Sequence, residues 1–248
     1  MKADDTIRSL SRERVFLAAQ WRYLAMLNYE VDPALLRPFV PQGTELDAWG
    51  GKTYMSMVAF LFLNTKVRGL GIPFHRNFEE INLRFYVRRP GPEGWRRGVV
   101  FIKEIVPRFA IAAVARLFYN ENYVALPTRH TLEVSAENIM ADYAWRWKGR
   151  WNHLQVKTTG ASSLVKPESL EEFITEHYWG YAAQRNGGCV EYKVEHPKWR
   201  IWQTQEAVFD CDIETLYGKQ FASFLKATPS SAFLAEGSEV KVYGGRRV

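Results

Sequence analysis

The sequence predicts a β-rich α+β protein with a polar pocket among its strands. Two strand-like runs, residues 74–89 and 98–108, flank a Pro/Gly turn at 90–94, and both carry charged residues among apolar ones. Aromatic residues make up 15% of the chain, which suits a sheet core or an aromatic-walled pocket. Charges inside a sheet cost free energy unless they are paired or face a wet cavity. These runs therefore indicate an internal polar cavity.

Length and composition are those of an ordinary folded protein. The chain has 248 residues, of which 47% are hydrophobic and 24% charged. This length allows a large core within one domain, and no internal repeat or linker interrupts the pattern. We expect a polar N-terminal lead-in over residues 1–14 and a single domain over residues 15–248.

The first elements follow from local signals. Residues 21–30 and 53–63 are strand-like, with many β-branched or aromatic residues. Between them, Asp32 is placed to cap a short helix that begins at Pro33, since proline is well tolerated at the first helical position. The Pro/Gly turn then joins the two charged strands into a hairpin.

Helix formers, capping residues and aromatic strands alternate in the second half of the chain. Ser169 and Glu172 form a capping-box signature at the start of one helix. The predicted elements are a helix over 110–117, strands near 145–147 and 151–156, a helix from 169 to about 178, a turn at 186–188, a helix over 212–224 and a strand over 239–243.

Strand alternation assigns faces to the charged residues of the hairpin. In the first run, one face carries the polar set Glu80, Asn82 and Arg84, and the opposite face is mostly apolar. Glu80 is a candidate general base, and a structural Glu80–Arg84 pair is the alternative. In the second run, Val100, Ile102, Glu104, Val106 and Arg108 share a face opposite Lys103.

Several functional classes lack their signatures. The N-terminal residues contain no apolar run, and no stretch approaches the roughly 18 apolar residues of a membrane helix, so we expect a cytoplasmic protein without membrane contact. The two cysteines, Cys189 and Cys211, are expected to be free thiols. The five histidines show no metal-binding spacing, and no dinucleotide, P-loop or nucleophile-elbow motif occurs. Neither a metal nor a cofactor is predicted.

The chain is basic, with a net charge of +6 and an isoelectric point near 9.3. Its arginines are spread along the sequence, so the charge predicts a solvated surface and no specific nucleic-acid binding. The sequence leaves a homo-oligomer open.

Four motifs resemble the uncharacterised bacterial YqjF-like family of the acetoacetate decarboxylase-like superfamily, and the resemblance spans nearly the whole chain. They are Trp21-Arg22-x-Leu24-x-Met26-Leu27-Asn28-Tyr29, Phe74-His75-Arg76-Asn77-Phe78-Glu79-Glu80, Arg116-Leu117-Phe118-Tyr119 and Val194-Glu195-His196-Pro197. The resemblance implies a cone-shaped, mainly antiparallel β-barrel flanked by smaller sheets and a few short helices, with a ligand site inside the cone.

The resemblance also has consequences for chemistry. It implies that Arg22, ten residues before Asp32, points into the pocket. Where the decarboxylases carry a Schiff-base lysine after a proline, this chain has Arg108. Arginine stays protonated and cannot form an imine, but it binds carboxylates through paired hydrogen bonds. Arg22 and Arg108 are thus candidates for an anion clamp, with a core-edge salt bridge and a solvated strand end as their alternatives.

The sequence leads to a pocket for a small carboxylic or keto acid. The candidate catalytic residues are Glu80, Glu104 and His75, of which Glu104 is alternatively a structural carboxylate and His75 a loop hydrogen-bonder. The candidate ligand-binding residues are Arg22, Arg108, Arg84 and Asn82. Three functions stay open: a lyase- or isomerase-type enzyme that is not an acetoacetate decarboxylase, a non-catalytic binding protein, and an interaction scaffold.

Overall fold

Strands dominate the computed structural model, which describes residues 14–108, 122–184 and 187–248. The strands are β1 (Val15–Val31), β2 (Glu45–Leu46), β3 (Thr53–Val67), β4 (Phe78–Gly91), β5 (Gly94–Val106), β6 (Tyr123–Ala125), β7 (Thr128–Val134), β8 (Ile139–Trp147), β9 (Arg150–Thr158), β10 (Ser163–Leu164), β11 (Trp179–Ala183), β12 (Cys189–Glu195), β13 (Arg200–Asp210), β14 (Ser231–Tyr243) and β15 (Arg246–Arg247). The α-helices are α1 (Pro33–Leu36), α2 (Leu170–Thr175), α3 (Ile213–Leu216) and α4 (Ala222–Leu225), and 3-10 turns occupy Arg37–Phe39 and Lys219–Phe221.

Seven strands close into a ring in the order β1, β3, β4, β5, β11, β12 and β14. Every neighbouring pair is antiparallel except β5 and β11. The ring closes because β12 pairs with β14, with Val194 opposite Val242, and β14 pairs with β1. Closure removes the free edges of these strands. The predicted β-rich, mainly antiparallel fold is confirmed.

A second antiparallel sheet packs outside the ring. Strand β13 leaves β14 and pairs with β9, which continues to β8 and β7. Strands β3 and β4 of the ring are therefore buried on both faces over most of their length. In β3, Met55 and Met57 pack toward the outer sheet, while Val58 and Phe60 face the ring interior. This explains why β3 is nearly continuously apolar in sequence.

A bulge in β1 reverses its alternation. Tyr23 has φ +53°, and the register between β1 and β3 shifts between Arg22 and Ala25. Before the bulge Trp21 faces the ring interior, and after it Leu24 does. Arg22 consequently lies on the outer side of the strand.

A second bulge lies in β5. Leu83 is opposite Lys103 and Arg84 is opposite Phe101, so Ile102 is the extra residue. The side-chain amide of Asn122 donates to the Ile102 carbonyl at 2.9 Å. The bulge turns both Phe101 and Glu104 toward the interior. The prediction that Val100 and Ile102 share a face with Glu104 is therefore wrong.

Two helices begin at the capping residues that the sequence predicts. The Asp32 carboxylate accepts from the Ala34 amide at 2.8 Å and opens α1. The Ser169 hydroxyl accepts from the Glu172 amide at 3.2 Å and opens α2. This second helix ends at Thr175, before the predicted limit near residue 178, because the following backbone pairs with β5: the Tyr178 amide donates to the Arg97 carbonyl.

The C-terminal region differs more from expectation. The single helix predicted over 212–224 is interrupted at Gly218, whose φ of +112° breaks the helical path between α3 and the next turn. The predicted last strand is the end of the longer β14, and β13 was missed. The helix predicted over 110–117 and part of the 186–188 turn lie outside the described residues. Cys189 and Cys211 are free thiols.

Candidate functional site

A cavity of about 190 Å³ lies inside the seven-strand ring, and side chains from all seven strands line it. Most of its wall is aromatic or aliphatic. The polar lining groups come mainly from β4 and β5 and from the segments that follow α2 and β12. A mostly apolar cavity with a few convergent polar groups is the usual form of a small-molecule site.

Strand β4 contributes a polar row to the cavity, formed by Glu80, Asn82 and Arg84. The Asn82 amide donates to Glu80 Oε1 at 3.0 Å, and the Tyr123 hydroxyl donates to Glu80 Oε2 at 3.3 Å. Within the described residues no Glu80–Arg84 ion pair forms. The face assigned to these three residues from strand alternation is the one the structure shows.

Arg84 is the cation of this row. Its side chain is only 9% exposed, and its Nε–H has no hydrogen-bond partner among the described residues. The guanidinium carbon lies 5.8 Å from the centre of the Tyr86 ring. A buried guanidinium normally has carboxylate or carbonyl partners. Arg84 therefore presents an unused donor beside the cavity.

Glu104 reaches the cavity because of the β5 bulge and is 1% exposed. Lys103 points the other way, toward the outer core, where its ammonium group donates to the Leu216 carbonyl. Burial lowers the pKa of Lys103. Glu104 and Lys103 occupy opposite faces of β5, as predicted. Val100 and Ile102, which were predicted to share the face of Glu104, lie on the other face.

The two arginines expected to form the anion clamp are not brought together in the cavity. Arg22 lies on the outer side of the β1 bulge, where its Nη1 donates to the Gly237 carbonyl at 3.3 Å, and it is not a lining residue. Arg108 is exposed beyond the end of β5. Neither arginine lies where the sequence predicted it. The β1 bulge leaves Arg22 facing outward, and β5 ends at Val106, before Arg108.

His75 lies in the loop between β3 and β4. It is half-buried, lines the cavity, and donates from Nδ1 to the Pro73 carbonyl at 2.8 Å. It is thus a loop hydrogen-bonder whose ring also borders the cavity. Nearby, Leu70 and Phe74 are exposed.

A buried histidine that sequence analysis passed over lines the same cavity. His177 follows α2, and its Nε2 lies 3.3 Å from Asp47 Oδ2. Arg97 donates to the same Asp47 oxygen at 2.6 Å. The other ring nitrogen of His177, Nδ1, is buried without a hydrogen-bond partner in the described part of the chain. Asp47 and His177 are far apart in sequence, so no local motif marks them.

The ionisation of this pair follows from its surroundings. Burial lowers the pKa of His177 to about 4, and the nearby Arg97 and Arg84 charges act in the same direction against the hydrogen bond to Asp47. For Asp47, burial alone would raise the pKa, but the hydrogen bonds from His177 and Arg97 outweigh it and lower the pKa to about 2. At neutral pH the pair is therefore a neutral imidazole beside a carboxylate.

His196 is a second buried histidine of the cavity. It donates from Nδ1 to the Pro197 carbonyl at 2.9 Å and stacks on Trp199 with ring centres 4.2 Å apart. Burial lowers its pKa. The signal for this residue was present in the sequence, since His196 and Pro197 belong to one of the motifs that carry the family resemblance.

The described residues contain no cluster of three or more His, Cys, Asp or Glu residues arranged to hold a metal ion. Among the same residues, no helix has the length and apolar character needed to cross a membrane.

Comparison with known proteins agrees with this architecture. The DUF2071 family, described as an uncharacterized conserved protein family, matches residues 18–239. The chain belongs to this family. The uncharacterized protein YqjF of Bacillus subtilis (strain 168) is 28% identical over 200 residues, which cover 79% of this chain and 78% of YqjF. The predicted YqjF-like membership is confirmed.

Solved structures similar to this DUF2071 protein include acetoacetate decarboxylases and a biosynthetic enzyme. Acetoacetate decarboxylase from Legionella pneumophila subsp. pneumophila has a TM-score of 0.62 at 13% identity, covering 94% of this chain and 87% of the other. The enduracididine biosynthesis enzyme MppR, complexed with pyruvate, has a TM-score of 0.65 at 16% identity, covering 98% and 93%. At these identities the likeness shows the fold alone.

The cavity of this DUF2071 protein differs from an imine-forming site in one chemical respect. No lysine is among its lining residues in the described ranges, and the sequence contains none between Lys103 and Lys148. Lys103 is held on the opposite face of β5 by the outer core. The arrangement offers hydrogen bonds and proton transfer, but the described residues offer no amine nucleophile.

Proposed function

We propose that this protein binds a small carboxylic acid inside the ring, with the carboxylate on Arg84. The observation that carries the proposal is a buried guanidinium at the cavity wall whose Nε–H has no partner among the described residues. A carboxylate matches the planar donor pattern of arginine better than any neutral group. Arg84 takes the role first expected of Arg22 and Arg108.

Other unpaired polar atoms lie around the same cavity and support a ligand site. In the described part of the chain, Trp21 Nε1, Thr65 Oγ1, Asn82 Oδ1 and His177 Nδ1 are buried without hydrogen-bond partners, and all four residues line the cavity. Unpaired buried polar groups are rare in folded proteins. Their presence around one cavity is explained if a polar ligand supplies the missing hydrogen-bond partners.

The size of the cavity fits a small molecule. About 190 Å³ corresponds to roughly six water molecules. The structurally similar enzyme MppR is complexed with pyruvate, a small keto acid, which supports a ligand of this class by analogy of fold.

Any reaction in this cavity would proceed by proton transfer, as in a lyase or isomerase. Glu80 and Glu104 are buried lining carboxylates, and His75 is a half-buried lining residue. These three are the proposed acid–base groups, with Asn82 orienting Glu80. A non-catalytic binding protein would use the same Arg84 contact without turnover.

Isothermal titration calorimetry against a panel of two- to six-carbon carboxylates tests the proposal. Arg84→Met should weaken binding by about 1.5–3 kcal/mol, or roughly ten- to a hundredfold, the scale of a hydrogen bond to a charged group. Arg22→Met is the matched control, because Arg22 is not a lining residue, and it should bind as the wild type does. Equal affinities of wild type and Arg84→Met would refute the proposal. Turnover followed by NMR then separates an enzyme from a binding protein.

A further inference from the structure

The hydrogen bonds of His177 determine which of its nitrogens carries the proton. A carboxylate can only accept, so the contact between His177 Nε2 and Asp47 Oδ2 places a hydrogen on Nε2. The neutral ring therefore has its lone pair on Nδ1. Arg97 donates to the same Asp47 oxygen and keeps the carboxylate charged. The cavity thus contains a hydrogen-bond acceptor, His177 Nδ1. Its orientation is fixed because Asp47, held by Arg97, binds the other ring nitrogen.

This acceptor lies beside the proposed carboxylate site. The rings of His177 and Tyr86 are 4.6 Å apart, and the Arg84 guanidinium carbon is 5.8 Å from the Tyr86 ring. Arg84 and His177 consequently flank the same aromatic ring. Asn82 Oδ1, two positions along β4 from Arg84, is a second buried acceptor without a partner in the described residues. A cationic donor and two neutral acceptors therefore border one small space.

A keto acid and a hydroxy acid differ in the hydrogen bonds that they can form with these groups. A carbonyl oxygen can only accept, so it would place its lone pairs against that of His177 Nδ1. A hydroxyl group can donate to Nδ1 while the carboxylate of the same molecule accepts from Arg84. Leaving a buried acceptor unpaired is unfavourable, and this penalty falls on the keto acid alone.

We propose that the ligand of the cavity is a hydroxy carboxylic acid whose hydroxyl donates to Nδ1 of His177. This deepens the function proposed above and rests on it, since the carboxylate contact with Arg84 is retained. The aromatic walls, to which Trp21, Phe60 and Phe101 contribute, favour an apolar side chain on that acid.

Calorimetry with three acids of one carbon skeleton tests this inference: 2-hydroxyisovalerate, 2-oxoisovalerate and isovalerate, together with 3-hydroxyisovalerate for the other hydroxyl position. At least one hydroxy acid should bind the wild type about tenfold more tightly than the oxo acid, the effect of one hydrogen bond and one avoided unpaired acceptor. His177→Phe keeps an aromatic ring against Tyr86 but removes the acceptor, and it should reduce the preference to about twofold or less.

His153→Phe is the matched control. His153 also pairs with a carboxylate, Asp142, at 3.1 Å, but it is not a lining residue of the cavity. This variant should keep the wild-type preference. A preference for the hydroxy acid that survives in His177→Phe would overturn the assignment of His177.

The outcomes separate this inference from the proposed function. If none of the acids binds, or if Arg84→Met binds them as well as wild type, the carboxylate site itself is wrong. If the oxo acid binds as tightly as both hydroxy acids and both classes depend on Arg84, the carboxylate site stands and the hydroxyl contact is refuted.

A spectroscopic measurement covers the case in which His177→Phe does not fold. In protein labelled with ¹⁵N at its five histidines, the His177 signals are assigned by elimination through variants of the other four. Nε2 should carry the hydrogen in the free protein, and the Nδ1 resonance should move on addition of a hydroxy acid but not of the oxo acid. A hydrogen on Nδ1 in the free protein would contradict the inference.

Discussion

Replacing His177 by Gln should remove a specific part of the acid sensitivity of this protein. The folded state holds His177 neutral, since burial lowers its pKa from 6.5 to about 4. In the unfolded chain the same ring takes up a proton as the pH falls below about 6.5. The unfolded state therefore binds more protons between pH 6.5 and 4, and wild-type stability falls with decreasing pH across this window.

The size of this effect follows from the two pKa values. Between pH 7.5 and 4.5, proton uptake by the unfolded chain should cost the wild type about 2.5 kcal/mol through His177 alone. Asp47 contributes in the same direction only at lower pH, because its pKa is lowered from 3.8 to about 2. The Gln variant has no ring to protonate. Between pH 7.5 and 4.5 its free energy of unfolding should therefore fall by about 2.5 kcal/mol less than that of the wild type.

Urea unfolding followed by tryptophan fluorescence at pH 7.5 and 4.5 measures the difference. The absolute stability of His177→Gln at pH 7.5 is not the test, because the substitution also alters the contact with Asp47. If the wild type and His177→Gln lose equal stability over this pH range, the argument that His177 is buried in its neutral form is wrong.

Three further outcomes test the fold and its chemistry. Gly237→Ala should destabilise the protein by about 3 kcal/mol or more in urea unfolding, because its Cβ would lie 2.0 Å from the Trp21 carbonyl oxygen at φ +77°. Gly149→Ala, also at positive φ but with open space around it, should cost only about 1 kcal/mol, and equal losses would contradict the close approach. Glu191→Leu should cost about 3–5 kcal/mol by the same measurement, because it removes the fully buried carboxylate that Arg96, Arg89 and Arg246 contact together; a change below 1 kcal/mol would rule this out. Incubation with acetoacetate and borohydride should leave the protein mass unchanged, and a lysine adduct would show that imine chemistry occurs.

The polar row of β4 shows what strand alternation alone can predict. Glu80, Asn82 and Arg84 share one face in the sequence pattern, and all three line the cavity. The prediction was correct because β4 has no bulge between these residues, so its side chains alternate regularly. The caps at Asp32 and Ser169 were predictable for a similar reason, since each depends on residues within three positions.

The two bulges show where such reasoning ends. In β5 an irregularity of the pairing reverses the faces expected from alternation, so Phe101 faces inward. In β1 a similar irregularity leaves Arg22 facing outward, although the family resemblance implied that it points into the pocket. A bulge is set by how a strand fits its neighbours across the sheet, and those neighbours come from distant parts of the chain. Gly237 illustrates this point, because its missing side chain lets β14 approach the Trp21 carbonyl.

The sequence by itself determined the β-rich class, the family, the local caps and the polar face of β4, because these depend on residues near one another in the chain or on whole motifs. Only the tertiary structure decided that the ring closes through β12 and β14, and that Asp47 and His177 meet beside Arg84. These contacts join residues far apart in sequence, and their partners are chosen by packing and by the desolvation of buried polar groups. No local pattern encodes that choice.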